Sequence, residues 1–185
     1  MSSPLINVLE KKWRWLALLI VVVAAALGAA WFVHSLSAKA DPPPEVRPLL
    51  PKVVRYLETR FSNRAEGPMF CGVRYLGNSP IGSRFSLYVW EACEQFSAAD
   101  GKLMLGAGWS APANVTVARF AGEYRIVAER EPVAYDEPNF SRMFPSSQVR
   151  REIYDLDGST STSAGSPAAM LAADERRARH KLLHR

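Results

Sequence analysis

Residues 69–93 read MFCGVRYLGNSPIGSRFSLYVWEAC, and the fold turns on how this stretch is laid out. Gly77-Asn78-Ser79-Pro80 is a strong turn signal. It separates two strand-like runs, Met69–Leu76 and Arg84–Cys93. In the second run Phe85, Leu87 and Val89 alternate with Ser86, Tyr88 and Trp90. A short connection makes the two strands antiparallel. Because Tyr88 and Trp90 point away from Phe85, Leu87 and Val89, both faces of the second strand are apolar. One reading is a second core layer under a C-terminal helix. The other is an exposed groove for a peptide or glycan, with Tyr88, Trp90 and Trp109 as candidate ligand-binding residues.

The same stretch carries the only two cysteines, Cys71 and Cys93. If Gly77–Ser83 is the turn, Cys71 lies six residues before it and Cys93 ten after it. A mismatch of four residues is about 13 Å along a strand, beyond the roughly 7 Å Cα limit for a bridge. A disulfide therefore requires a longer loop or a chain that bends back after Trp90; otherwise the thiols are free. An oxidising compartment favours the bridge, and closing a 22-residue loop would stabilise the fold by about 3 kcal/mol.

Upstream, Val46, Leu49, Leu50, Val53, Val54, Leu57 and Phe61 fall on one helical face. Pro48 and Pro51 fit only in the first turn of that helix. Downstream, Lys102–Trp109 follows the polar loop Ser97–Gly101, and Asn114–Phe120 and Glu123–Ala128 flank Ala121-Gly122 as a hairpin. Gly108–Pro112 between them reads as a turn, and Glu131-Pro132 ends the last strand. Ser146 suits the cap of a short helix with Val149, Ile153 and Tyr154. The expected architecture is α+β: one amphipathic helix on a curved antiparallel sheet of four to five strands, with a short C-terminal helix. Ser166 and Pro167 can start that helix after the low-complexity linker Gly158–Ser166. Its thin stripe of Leu171, Ala178 and Leu182 predicts a mobile, partly helical tail.

The N-terminal side is of another character. Trp15–Val33 is 19 residues without a charge, about 28 Å as a helix and close to a bilayer's hydrocarbon thickness. Lys11, Lys12 and Arg14 precede it directly, which orients the N-terminus to the cytoplasm and all that follows to the outside. Ala38-Lys39-Ala40 also matches a signal-peptide cleavage pattern, so a retained anchor and a cleaved signal both export the remainder. The expected organisation is a cytoplasmic segment 1–14, a transmembrane helix 15–33, a Pro-rich spacer 34–44, an extracytoplasmic domain 45–157, and a flexible linker with basic tail 158–185. The expected location is a cell membrane, crossed once.

Net charge is +5, yet residues 41–157 hold 14 basic and 15 acidic residues, and the excess sits at the two ends. The foldable part thus offers no basic surface for nucleic acid. The three histidines, His34, His180 and His184, lie outside it, which removes Ser-His-Asp, Cys-His and His-based zinc arrangements. Gly108-Trp109-Ser110-Ala111-Pro112 lacks the second glycine of a nucleophile elbow. Carboxylates remain, with Glu91, Glu94 and Asp136 as candidates for an acid–base pair. No cofactor or metal is expected.

The order of several short motifs resembles a family of small secreted or membrane-anchored bacterial domains without assigned function. The motifs are Tyr88-Val89-Trp90-Glu91 with Glu94-Gln95-Phe96, Gly108-x-Ser110-Ala111-Pro112, Gly122-x-Tyr124-Arg125-Ile126-Val127, Glu131-Pro132, and Phe144-Pro145 before Val149 and Ile153. They cover about a third of the chain. Where family members have a glycine-containing acidic turn, this chain has Tyr135-Asp136-Glu137-Pro138. The resemblance implies an exported bacterial domain and no catalytic residues. The expectation is a non-enzymatic binding or assembly domain whose partners are the membrane and another envelope protein or cell-wall component. A carboxylate enzyme of the cell envelope is one alternative. A sensor whose membrane helix pairs through Ala24–Ala26, Gly28, Ala29 and Ala30 is the other.

Overall fold

The computed structural model describes residues 41–62, 67–135, 138–158 and 165–183. The chain divides into two units, Met1–Lys39 and Ala40–Arg185, and the described residues all belong to the second. The apolar run 15–33, Asp136, Glu137 and linker residues 159–164 lie outside the described residues. Among the described residues, no helix is long and apolar enough to cross a membrane.

A 3-10 turn, Arg47–Leu49, leads into helix α1 (Leu50–Ser62), and Pro48 sits in the turn as its spacing requires. Four antiparallel strands follow in sequential order: β1 (Met69–Asn78), β2 (Arg84–Ala99), β3 (Lys102–Phe120) and β4 (Glu123–Arg130). Three helices close the chain: α2 (Asn139–Met143), α3 (Ser147–Asp157) and α4 (Pro167–Leu183). Ser146 caps α3 by accepting from the Val149 N–H at 3.4 Å. Ser166 caps α4 by accepting from the Ala169 N–H at 3.2 Å.

Each face of the sheet carries a core. On one side α1 buries Val53 and Leu57 against Cys71, Phe85, Leu87, Val89, Cys93, Val115 and Val117. On the other, Leu76, Tyr88, Trp90 and Ala92 lie under Phe140, Phe144, Val149, Ile153, Leu156 and Met170. The chain is therefore α+β with a four-stranded antiparallel sheet covered on both faces, and β2 is its central apolar strand.

Three readings of the sequence are corrected. The first concerns the β1–β2 turn. β1 runs on through Gly77 and Asn78, and the Ser79 N–H donates to the Ser86 carbonyl at 2.9 Å, so the loop starts later and closes on Ser86 rather than Ser83. A bulge at Leu76 takes up one extra residue of β1. Cys71 then stands directly opposite Cys93, with Cα atoms 4.1 Å apart, and the two form a disulfide. The second concerns Gly108–Pro112, which is not a turn but part of one 19-residue strand. Cys71 and Cys93 have the short Cα separation of a non-hydrogen-bonded pair. By alternation, Trp109 bonds toward β2, while Gly108, Ser110 and Pro112 face away from it. Pro112 has no N–H to offer there, so it costs the β2–β3 ladder nothing. The turn signal was genuine for a central strand and void for an edge. The polar loop Ser97–Gly101 likewise shrinks to Asp100-Gly101. Both residues have positive φ, 51° and 70°, as a tight two-residue hairpin turn demands.

The third correction is the C-terminal tail. Residues 167–183 are not a loose segment; α4 lies across β1 and β2 with Met170, Asp174 and Ala178 buried. Its apolar stripe is thin because its middle position is polar. Asp174 accepts from Arg177 at 2.6 Å, and Arg177 also donates to the Cys71 carbonyl at 2.6 Å and to Glu58 at 3.1 Å. Gly72 lets the helix sit this close: a Cβ there would stand 3.3 Å from Met170 Cβ.

Replacing Cys71 and Cys93 together by alanine should lower the unfolding free energy by about 3 kcal/mol, the entropy of opening a loop of this length. Urea unfolding of wild type and variant under non-reducing conditions measures it.

Candidate functional site

Position 91 breaks the pattern of β2. Phe85, Leu87, Val89 and Cys93 all point to the α1 core, and Glu91 points with them. Its side chain has no exposed surface. Oε1 accepts from the Trp109 indole N–H at 3.1 Å; among the described residues no N–H or O–H donor reaches Oε2, and the Glu131 carboxyl stands within hydrogen-bonding reach of the Glu91 side chain. Trp109 is held edge-on by Phe61 at the end of α1, with ring centroids 4.0 Å apart.

Two further carboxylates reach the same place from β4. Val115 pairs with Glu129, and a bulge at Val127 brings Glu129 to the α1 face. Glu129 is ion-paired with Arg60 of α1 and is 7% exposed. Glu131 follows just beyond β4 and is exposed. One oxygen from each of Glu91, Glu129 and Glu131 lies within 4.8 Å of the other two. Burial pushes the Glu91 carboxyl up to about 8; Glu131 adds to the rise, while the Trp109 hydrogen bond and Arg60 oppose it. Glu131 also lines a cavity of about 420 Å³, shared with Asn114, Pro132, Phe140, Arg142 and Met143.

The other candidates fall elsewhere. Tyr88 and Trp90 are 4% and 2% exposed in the second core. Trp90 donates its indole N–H to Ser110 Oγ at 2.6 Å, and Tyr88 stacks edge-on with Phe144. A ligand would reach neither without displacing α2–α4. Trp109 is half-buried on the opposite face, so these three aromatics do not form one surface. Glu94 faces away from Glu91; burial, with Asp174 and Glu175 nearby, raises its carboxyl. Asp136 lies outside the described residues. Asn114 donates its side-chain N–H to the Met143 carbonyl at 3.0 Å.

The free edge of the sheet is the remaining feature. β4 pairs with β3 only from Asn114 to Phe120. Among the described residues, no strand covers the outer edge of β3 from Lys102 to Ala113. Here Met104 is 51% and Leu105 64% exposed, and there is no charged residue from Leu103 to Ala118. The other edges are closed. On β1 the Cys71 N–H donates to Glu58 at 3.2 Å, its carbonyl accepts from Arg177, and the Met69 N–H donates to Ser62 Oγ at 3.1 Å. On β4, Lys52 donates to the Tyr124 carbonyl at 3.3 Å, and four of eight residues are charged.

Sequence reasoning singled out Glu91 but not its partners. Glu91 entered only as an acid–base candidate beside Glu94 and Asp136, although its in-phase position among Phe85, Leu87, Val89 and Cys93 is a signal that it faces inward. Glu129 left no such signal, because the bulge at Val127 inverts its face. Comparisons of this chain with protein-family models, curated proteins and solved structures find no match.

Two outcomes follow. Trp90→Ala should destabilise the domain by about 3–5 kcal/mol, as large core truncations do, measured by chemical denaturation. Glu91 binds its proton more tightly folded than unfolded, so in metal-free buffer stability should fall as pH rises from 4.5 to about 8. Glu91→Gln should flatten that profile across the window in pH-dependent urea unfolding.

Proposed function

We propose that this chain is a non-enzymatic assembly domain, carried on the outer side of a membrane by residues 15–33, and that it pairs with a second copy of itself along the free edge of β3. The observation that carries this reading is the contrast between edges. Side chains of α1 and α4 cap β1, and charges and Lys52 guard β4, the usual protections against strand addition. Among the described residues, no charge and no capping side chain guards the apolar β3 segment Leu103–Ala111, and a bulge at Gly106-Ala107 is its one irregularity. An exposed edge of this kind is a template for an incoming strand.

A second copy fits the chemistry of the edge. Twofold antiparallel pairing sets each residue against one from the same short stretch. Where a stretch carries charge, that geometry risks like-charge contact; here no charge lies between Lys102 and Arg119. The apolar run 15–33 carries a small-residue surface of Ala24–Ala26, Gly28, Ala29 and Ala30, which suits association of the same two chains within the bilayer. A catalytic reading has less support, because Glu94 lies on the face of the sheet opposite Glu91.

The test is the mass of the detergent-solubilised full chain by light scattering. The wild type should be a dimer, and Leu105→Lys should shift it toward monomer by at least about tenfold in dissociation constant, the effect of roughly 1.4 kcal/mol. Phe120→Lys, on the β4-paired part of β3, should leave the mass unchanged. A wild-type monomer would overturn self-pairing; loss of a different co-purifying protein in Leu105→Lys would reassign the edge to that partner.

A further inference from the structure

Glu91, Glu129 and Glu131 form more than a group of solvated acids. Glu91 is fully buried, its Oε2 meets no N–H or O–H donor among the described residues, and one of its oxygens lies within 4.8 Å of an oxygen of Glu129 and of Glu131, an arrangement proteins rarely leave unmatched. Access exists as well, since Glu131 is exposed and lines the open cavity beside α2.

We propose that Glu91, Glu129 and Glu131 bind a divalent cation of the hard, oxygen-seeking class, Ca²⁺ foremost. The donor set is all carboxylate oxygen. No thiolate competes, because both cysteines are in the disulfide, and no histidine lies among the donors. Three protein carboxylates within 4.8 Å of one another suit Ca²⁺, since Mg²⁺ is usually held by only one or two carboxylates and keeps several waters. Solvent on the Glu131 side supplies the further oxygens that Ca²⁺ takes. A cation there would tie β2 to β4 across β3, linking the strand under α1 to the one that leads into α2. It would also take up the free oxygen of Glu91 while Trp109 keeps hold of the other.

Trp109 makes the site observable, because its indole touches a proposed ligand. The experiment is Tb³⁺ titration of the detergent-solubilised full chain, with tryptophan excitation and Tb³⁺ emission as readout, followed by displacement with Ca²⁺ and a thermal melt with Ca²⁺. The expected result is saturable emission, displaced by Ca²⁺ with a dissociation constant on the order of 10⁻⁴–10⁻³ M, the range of extracellular Ca²⁺ modules. Ca²⁺ should raise the melting temperature. Glu131→Gln, at an exposed position that spares the fold, should weaken both effects at least about tenfold. Glu94→Gln, on the opposite face, should leave them unchanged. Absence of saturable emission together with no Ca²⁺ shift, or equal responses in wild type and Glu131→Gln, would overturn the site. Displacement by Mg²⁺ as readily as by Ca²⁺ would overturn the assignment to Ca²⁺. Neither readout depends on the oligomeric state, so the site and the β3 pairing stand or fall separately.

Discussion

The double-sided burial of β2 is the constraint around which the domain is arranged. A strand that is apolar on both faces and hydrogen-bonded on both edges needs a layer above it, a layer below it and a neighbour on each side. α1 supplies one layer, α2–α4 supply the other, and β1 and β3 are the neighbours. Burying Leu87, Tyr88, Val89 and Trp90 together is worth several kcal/mol of transfer free energy by area. That gain is available only if both helical layers are present. The disulfide then pins β1 to β2 at the point where α4 crosses, and Arg177 joins the Cys71 carbonyl, Glu58 and Asp174 there.

This arrangement accounts for where polar residues lie. Asp174 and Arg177 do for α4 what a wider apolar stripe does for other helices. They exchange hydrophobic area for charge-assisted hydrogen bonds to a strand edge, and in doing so they cap groups that would otherwise invite another strand. Glu91 is different: it sits in the core face of β2 with one oxygen unmatched. An inward carboxylate is costly to keep, and its neighbours Glu129 and Glu131 add to the cost. The rest of the α1 core is uniformly apolar, so the exception is local.

The free part of β3 stands apart from both. Among the described residues, the sheet protects its β1 and β4 edges by different means and leaves open one stretch of about ten residues, broken by a bulge at Gly106-Ala107. Unprotected apolar edges carry an aggregation hazard, and a specific pairing partner removes that hazard. Pro112 limits the stretch at one end and the Asp100-Gly101 turn at the other, so the surface has defined bounds.

Local pattern was enough for much of this. The spacing of Val46, Leu49, Val53 and Leu57 announced α1, the alternation in 84–93 announced a strand apolar on both sides, and Ser146 and Ser166 marked helix starts. These signals act between residues close in sequence, where periodicity and capping chemistry are decided. What stayed hidden depended on contacts distant in the chain. Whether Gly108–Pro112 turns or continues depends on which neighbour covers each edge, and no local residue carries that information. The pairing of Cys71 with Cys93 depended on a loop that begins only after Asn78 and on a bulge at Leu76. The docking of α4 depended on an Asp–Arg pair meeting a backbone carbonyl about a hundred residues earlier. The carboxylate trio needed a second bulge, at Val127, to invert one face of β4. Strand register carries side-chain direction with a period of two, so one inserted residue changes which groups meet, and only the folded chain determines where that residue falls.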